Sequence, residues 1–313
     1  MSPPPPPMPK RFLVLASCAL ILSGAAGLLL WRSSRPPKAQ EPLKELDKGS
    51  VSRIEIRKGE RSVSLESRDG SWRLAQPPDG ADPSACQELL TGLFRLSIGS
   101  RLSDDPSSYP DYELNDSSAS RVRLFVQGKS EPVFDGYFGK TAMGHDSHYF
   151  RYESDKPVYI ASGVDSYQMN RSANDFRQRQ LSSIDLGSAG SIRLTYGNQA
   201  FELRKSSAGW SGSLPKDRLD ALISTLSALR VSDFGSGSEK VSETGLAKPL
   251  ISVELQAGER KARWMIGKAK VAAKGEKPSY YYARVEGRDA LLLLSAYDVD
   301  NILKSLAGKT PSA

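Results

Sequence analysis

The sequence is poor in the residues that most often carry chemistry. It has two cysteines and two histidines in 313 residues. Cys18 lies in an apolar stretch near the N-terminus, so Cys86 has no partner in the rest of the chain, and there is no CxxC. An intramolecular disulfide and a cysteine-based zinc site are excluded there. The GxSxG, HExxH, GxGxxG and Walker A patterns are missing as well. The commonest signatures of serine hydrolases, zinc peptidases and nucleotide-binding enzymes are therefore absent. No catalytic, cofactor-binding or metal-ligating residue is assigned, and no cofactor is expected.

Acidic residues are absent from the first forty positions, which hold Lys10, Arg11, Arg32, Arg35 and Lys38. These five account for most of the net charge of +7. Beyond them the charges nearly balance, so the concentrated basic face of a nucleic-acid-binding domain is lacking and no nucleic-acid partner is expected. Residues 12–31, FLVLASCALILSGAAGLLLW, carry no charge. At about 1.5 Å per residue they span roughly 30 Å, the thickness of a bilayer core. The run is longer than the apolar part of a cleaved signal peptide. It reads as an uncleaved transmembrane helix with Trp31 at an interface. Leu15-Ala16-Ser17-Cys18 resembles a lipobox, but the apolar run continues well past Cys18.

What the sequence does contain is a repeat. Ile54, Ile56, Gly59, Val63, Leu65 and Trp72 are matched, at one constant offset, by Ile192, Leu194, Gly197, Phe201, Leu203 and Trp210. Cys86, Leu89, Leu90, Leu93 and Leu96 form one face of an amphipathic helix. Leu219, Leu222, Ile223, Leu226 and Leu229 repeat that face. Val122 and Leu124 answer to Val253 and Leu255, and Gly139-Lys140 to Gly267-Lys268. Tyr149, Arg151, Glu153 and Ser162 answer to Tyr282, Arg284, Glu286 and Ser295.

One copy reads as a hairpin over 51–57 and 62–67, a short strand at Trp72, and a helix capped by Asp82 with Pro83 at its first position. Strands near 121–127, 133–138, 147–153 and 157–161 and a short helix near 164–170 complete it. Strands on either side of a helix, without βαβ alternation, predict an α+β class. The expected layout is a Pro-rich cytoplasmic tail over 1–11, the transmembrane helix over 12–31 and a linker over 32–49. An α+β repeat over 50–182, a second over 189–306 and a tail over 307–313 follow. Each repeat is expected to be an antiparallel sheet-plus-helix module.

Several polar and aromatic groups are candidate sites with plainer readings beside them. His145 and His148 flank Asp146 in an HxxH that could hold a metal, or could be a polar loop. Asp104-Asp105 and Asp298 with Asp300 could act as paired carboxylates, or could open a loop and a helix. Tyr280-Tyr281-Tyr282 with Trp264 could form an aromatic surface, or could be half-buried strand residues. Trp72 and Trp210 stand at equivalent places, which favours a core role.

A further pattern runs through Gly70-Ser71-Trp72-Arg73-Leu74, Ala81-Asp82, Tyr137-Phe138-Gly139-Lys140, Tyr149-Phe150-Arg151-Tyr152, Pro157-Val158-Tyr159 and Asn174-Asp175-Phe176-Arg177. It resembles the domain-of-unknown-function 4340 family of bacterial membrane-anchored proteins, over most of residues 45–300. That family has no established catalytic residues to carry over. The resemblance implies one N-terminal inner-membrane helix, an extracytoplasmic body, and an accessory role beside ABC-type export systems of the gliding-motility kind. The expected function is a membrane-anchored, non-enzymatic interaction protein of the cell envelope. Its expected partners are the membrane, through residues 12–31, and envelope or transporter proteins. The alternative is a glycan-binding protein or hydrolase using a cleft between the repeats.

Overall fold

The computed structural model of the protein describes residues 40–144, 146–236, 238–271 and 276–307. These residues fold into two antiparallel sheets, one after the other along the chain.

The first sheet opens with strands β1 (Val51–Lys58) and β2 (Arg61–Arg68), paired Ile54 to Leu65 and Ile56 to Val63. Alternation places Ile54, Ile56, Val63 and Leu65 on one buried face and leaves the charged residues between them on the other. β3 (Ser71–Leu74) and the two-residue β4 (Asp79–Gly80) extend the sheet on that side. On the other side come β6 (Ser120–Val126), β7 (Phe134–Thr141), β8 (Ser147–Tyr152) and β9 (Val158–Ser162), with β5 (Ser97–Ser103) at the far edge. The helix α1 (Pro83–Phe94) links β4 to β5, and these are the two opposite edges. It therefore has to cross one whole face of the sheet. Asp82 starts it by accepting from Ser84 N and Ala85 N at 2.8 and 3.1 Å. Cys86, Leu89, Leu90 and Leu93 then pack on the buried sheet face. Burial pushes the Cys86 thiol up to about 12, so it behaves as a small apolar group.

The second sheet runs β12, β11, β10, β14, β15, β16, β17, β13, which is the order of the first without a counterpart of β4. Its strands are β10 (Ser191–Tyr196), β11 (Gln199–Ser206), β12 (Gly209–Gly212), β13 (Asp233–Phe234), β14 (Ile251–Ala257), β15 (Arg260–Lys270), β16 (Tyr280–Val285) and β17 (Leu292–Ser295). A helix at Lys216–Ala228 makes the same edge-to-edge crossing and buries Leu219, Leu222 and Leu226. A terminal helix at Ala296–Ala307 packs beside it. Arg218 donates to Ser305 O and Leu306 O at 2.7 and 2.6 Å, meeting two carbonyls of its last turn.

The expected α+β class is corrected by this architecture. The described residues are mostly β, in sheets of nine and eight strands, with short helices laid on them. The helical content is low because each module needs only one sizeable crossing helix, while segments read as loops add edge strands. Residues 40–49 are not free of the body. Gln40 exchanges backbone hydrogen bonds with Ile98 on the edge strand β5, at 2.8 and 2.7 Å, and Leu43 is buried in the first core. The placement as a single-pass inner-membrane protein is also corrected. Among the described residues no helix is long and apolar enough to cross a membrane. The expected tail, Cys18 and the 12–31 helix lie outside the described residues.

One close approach occurs in both sheets. A Cβ on Gly139 would lie 2.1 Å from Tyr112 O, and one on Gly267 would lie 2.1 Å from Thr244 O. Both glycines sit where the strand slips register against its neighbour, between Phe138 and Thr141 and between Ile266 and Ala269. The neighbouring atom is backbone in each case and cannot rotate away. Gly267→Ala is therefore expected to destabilise the fold by about 1–3 kcal/mol, read as a lower urea midpoint, and Gly139→Ala should cost about the same.

Candidate functional site

The two sheets meet along a seam built from turns and edge strands. Residues 177–179 run through it. Gln178 N donates to Gly80 O at 2.9 Å on the first sheet's side, and Val231 N donates to Arg179 O at 2.8 Å on the second's. Asp79, on the edge strand β4, is at the centre, with its side chain only 1% exposed. Arg177 donates its Nε to Asp79 Oδ2 at 2.7 Å. Arg288, in the turn after β16, donates Nε to Oδ1 at 2.7 Å and Nη2 to Oδ2 at 2.8 Å, a two-pronged contact. The same Nη2 also donates to Gln178 O at 2.8 Å.

Beneath these groups lies Phe234, buried on the edge strand β13. The Arg177, Arg179 and Arg288 guanidinium carbons stand 3.7, 5.4 and 5.8 Å from its ring centre. A ring face of negative character thus backs three cations drawn from both sides of the seam. Arg179 donates further to Val231 O and Ser232 O at 3.0 and 2.6 Å. Burial on its own pushes the Asp79 carboxyl up. The hydrogen bonds and charges of Arg288 and Arg177 outweigh it and hold the group below its ordinary 3.8.

Beside the clasp a cleft of about 480 Å³ opens between the modules. Pro77, Pro78, Asn174 and Arg177 line it from the first module and its exit. Ser236, Glu239, Arg284, Asp289 and Leu291 line it from the second. Glu239 accepts from Ser236 N and Oγ at 3.1 and 3.0 Å and faces Lys270 at 3.6 Å. Burial pushes its carboxyl up, but the hydrogen bonds from the backbone and Ser236, with Lys270, carry it below its ordinary value. Its carboxylate is held in place by Ser236 and Lys270.

The residues singled out from sequence lie elsewhere. His145 is outside the described residues. His148 is buried, its Nε2 3.1 Å from Val164 O and its Nδ1 3.4 Å from Gly139 O, an internal hydrogen-bonding role. Among the described residues no group of three or more His, Cys, Asp or Glu could hold a metal. Asp104 pairs with the neighbouring Arg101 and Asp105 caps the short 3-10 helix Pro106–Tyr112, so they face away from each other's tasks. Asp300 accepts from Tyr281 Oη at 2.9 Å, while Asp298 lies in the first turn of the last helix. Tyr282 and Trp264 are buried, and Trp72 and Trp210 pack against their respective cores. None of them reaches the seam. Asp79 and Arg288 carried no motif that could have marked them, and Arg284 was marked only as the repeat match of Arg151. Arg177 stood within the Asn174-Asp175-Phe176-Arg177 pattern, the one local signal pointing here.

A family model described as Domain of unknown function (DUF4340) matches residues 72–249. That span contains Asp79, Arg177 and Phe234 and ends before Arg284 and Arg288. No curated protein and no solved structure matches the chain.

Removing Asp79 would leave the buried Arg177 and the part-buried Arg288 without their shared carboxylate. Asp79→Ala is expected to cost about 3–5 kcal/mol in urea unfolding. The pH dependence has a definite sign. The folded carboxyl lies below its unfolded value, so its contribution is complete above that value and is lost as pH falls through the folded one. Wild type should lose stability more steeply than Asp79→Asn as pH drops below about 4, and equal slopes would remove this carboxyl from the account.

Proposed function

The chain belongs to the family described as Domain of unknown function (DUF4340), a membership that brings no activity with it, and we propose that the protein is a non-enzymatic interaction protein that serves as an accessory part of a cell-envelope assembly. The observation that carries this reading is the Asp79 clasp. It joins the two sheet modules through two-pronged charge pairing, so that their outer faces and the cleft are held together. Two related modules held in this way suit a protein that docks against others, since little order has to be gained on binding. The ABC-type export system implied by the family resemblance is the partner to look for first.

A second reading is favoured by one observation, the presence of Glu239 and Asp289 in the same cleft. Carboxylates flanking a cleft suit a glycan binder. A hydrolase would need one of them as a proton donor, while Glu239 is already engaged by Ser236 and Lys270.

In-cell crosslinking of the tagged chain followed by mass spectrometry distinguishes the two. Recovery of envelope or ABC-transporter proteins, reduced several-fold by Asp79→Asn, is the expected outcome. Recovery of cell-wall fragments, lost in the Glu239→Gln, Asp289→Asn double variant, would replace the interaction reading with the glycan one.

A further inference from the structure

Arg151 and Arg284 occupy the same place in the two sheets. Each lies on the strand next to the glycine-bearing one, opposite Tyr137 and Met265 respectively. Arg151 is fully employed. Its Nε donates to Leu114 O at 3.1 Å, its other nitrogens lie 3.5 and 3.6 Å from Glu153 and Asp116, and its guanidinium stacks 3.6 Å from the Tyr137 ring centre.

The second sheet keeps counterparts of Glu153 and Leu114, in Glu286 and Leu246, but has lost the other two partners. Gly139 abuts Leu114 as Gly267 abuts Leu246, which makes Leu246 the counterpart of Leu114. Two residues further on, Asp116 is replaced by Lys248, and Met265 stands where Tyr137 does. The Nε of Arg284 is buried and has no hydrogen-bond partner among the described residues. That nitrogen is too buried to be met from the cleft, so a ligand there would engage the outer nitrogens of the guanidinium. Arg284 lines the interdomain cleft of about 480 Å³, a volume in the range of small-molecule sites.

We infer that this cleft takes a small ligand bearing a carboxylate, which Arg284 receives through its guanidinium. The planar fork of an arginine matches a carboxylate with two parallel hydrogen bonds. A dianion such as phosphate fits less well, because Glu239 and Asp289 already place two negative charges on the same walls. Those carboxylates instead favour a donor or ammonium group elsewhere on the ligand. Pro77, Pro78 and Leu291 offer a short apolar wall for the carbon skeleton. The inference goes beyond the interaction reading and does not depend on which protein docks.

The test is a titration of the full chain with propanoate, alanine and inorganic phosphate, followed through the methyl signals of Leu291. Saturable shifts with propanoate, stronger with alanine, are expected. Arg284→Gln should abolish them, and Arg284→Lys, which keeps the charge but not the fork, should weaken binding by about tenfold or more. Unchanged methyl signals elsewhere in each variant establish that it is folded. Tighter binding of phosphate, shifts that persist in Arg284→Gln, or no saturable response to either carboxylate would overturn the assignment. Crosslinking of Arg284→Gln separates the two ideas: an unaltered partner set beside a lost titration leaves the carboxylate site standing and the docking reading untouched.

Discussion

A single carboxylate, that of Asp79, satisfies two arginines from opposite directions. Arg177 arrives from the segment leaving the first sheet and Arg288 from a turn of the second. Neither arginine could stay as buried as it is without that charge, since an isolated buried cation is far costlier than a paired one. The ring of Phe234 extends the same logic, because it offers the cations a surface that is apolar and yet electrostatically favourable. Together with the backbone hydrogen bonds of Gln178 and Arg179, this contact fixes the path of residues 177–179 between the sheets.

The two modules share a strand order and differ in what covers their outer faces. In the first, Tyr109, Tyr112, Tyr137 and Tyr149 gather with Leu114 and Val158 into a small separate core over the sheet. Arg151 is locked inside that arrangement. In the second, Thr244 and Met265 stand where Tyr112 and Tyr137 do, while Tyr282 keeps the place of Tyr149, and Arg284 lines the cleft. Duplication supplied two equal frames, and the differences in side chains turned one into a closed surface and the other into the wall of a cleft.

Local structure was legible where pattern and chemistry are local. The alternation of Ile54, Ile56, Val63 and Leu65 marked the first hairpin, and Asp82-Pro83 with its apolar stripe marked the crossing helix. The edge strands β5 and β13 were not legible. In β5 only Ile98 is buried, so no alternation announces it, and its strand character comes from pairing with β9 and with Gln40. The class is mostly β because the strands on both sides of each crossing helix join into one large sheet per module, which the edge strands only extend. The clasp was hidden for a different reason. Asp79, Arg177 and Arg288 lie in turns and loop exits far apart in the chain, and nothing in their spacing brings them together. Arg284 was visible only as a repeat match to Arg151, and its lost partners become apparent only when the two sheets are compared.

The pairing of Asp79 with Arg288 joins residues 209 positions apart. Loop closure over such a distance has to wait for the intervening chain. During synthesis the first sheet can therefore assemble while Asp79 still lacks its second arginine, and the seam shuts only when the turn after β16 has emerged. In a chain ending before Arg288, Asp79 would keep Arg177 alone as its charged partner.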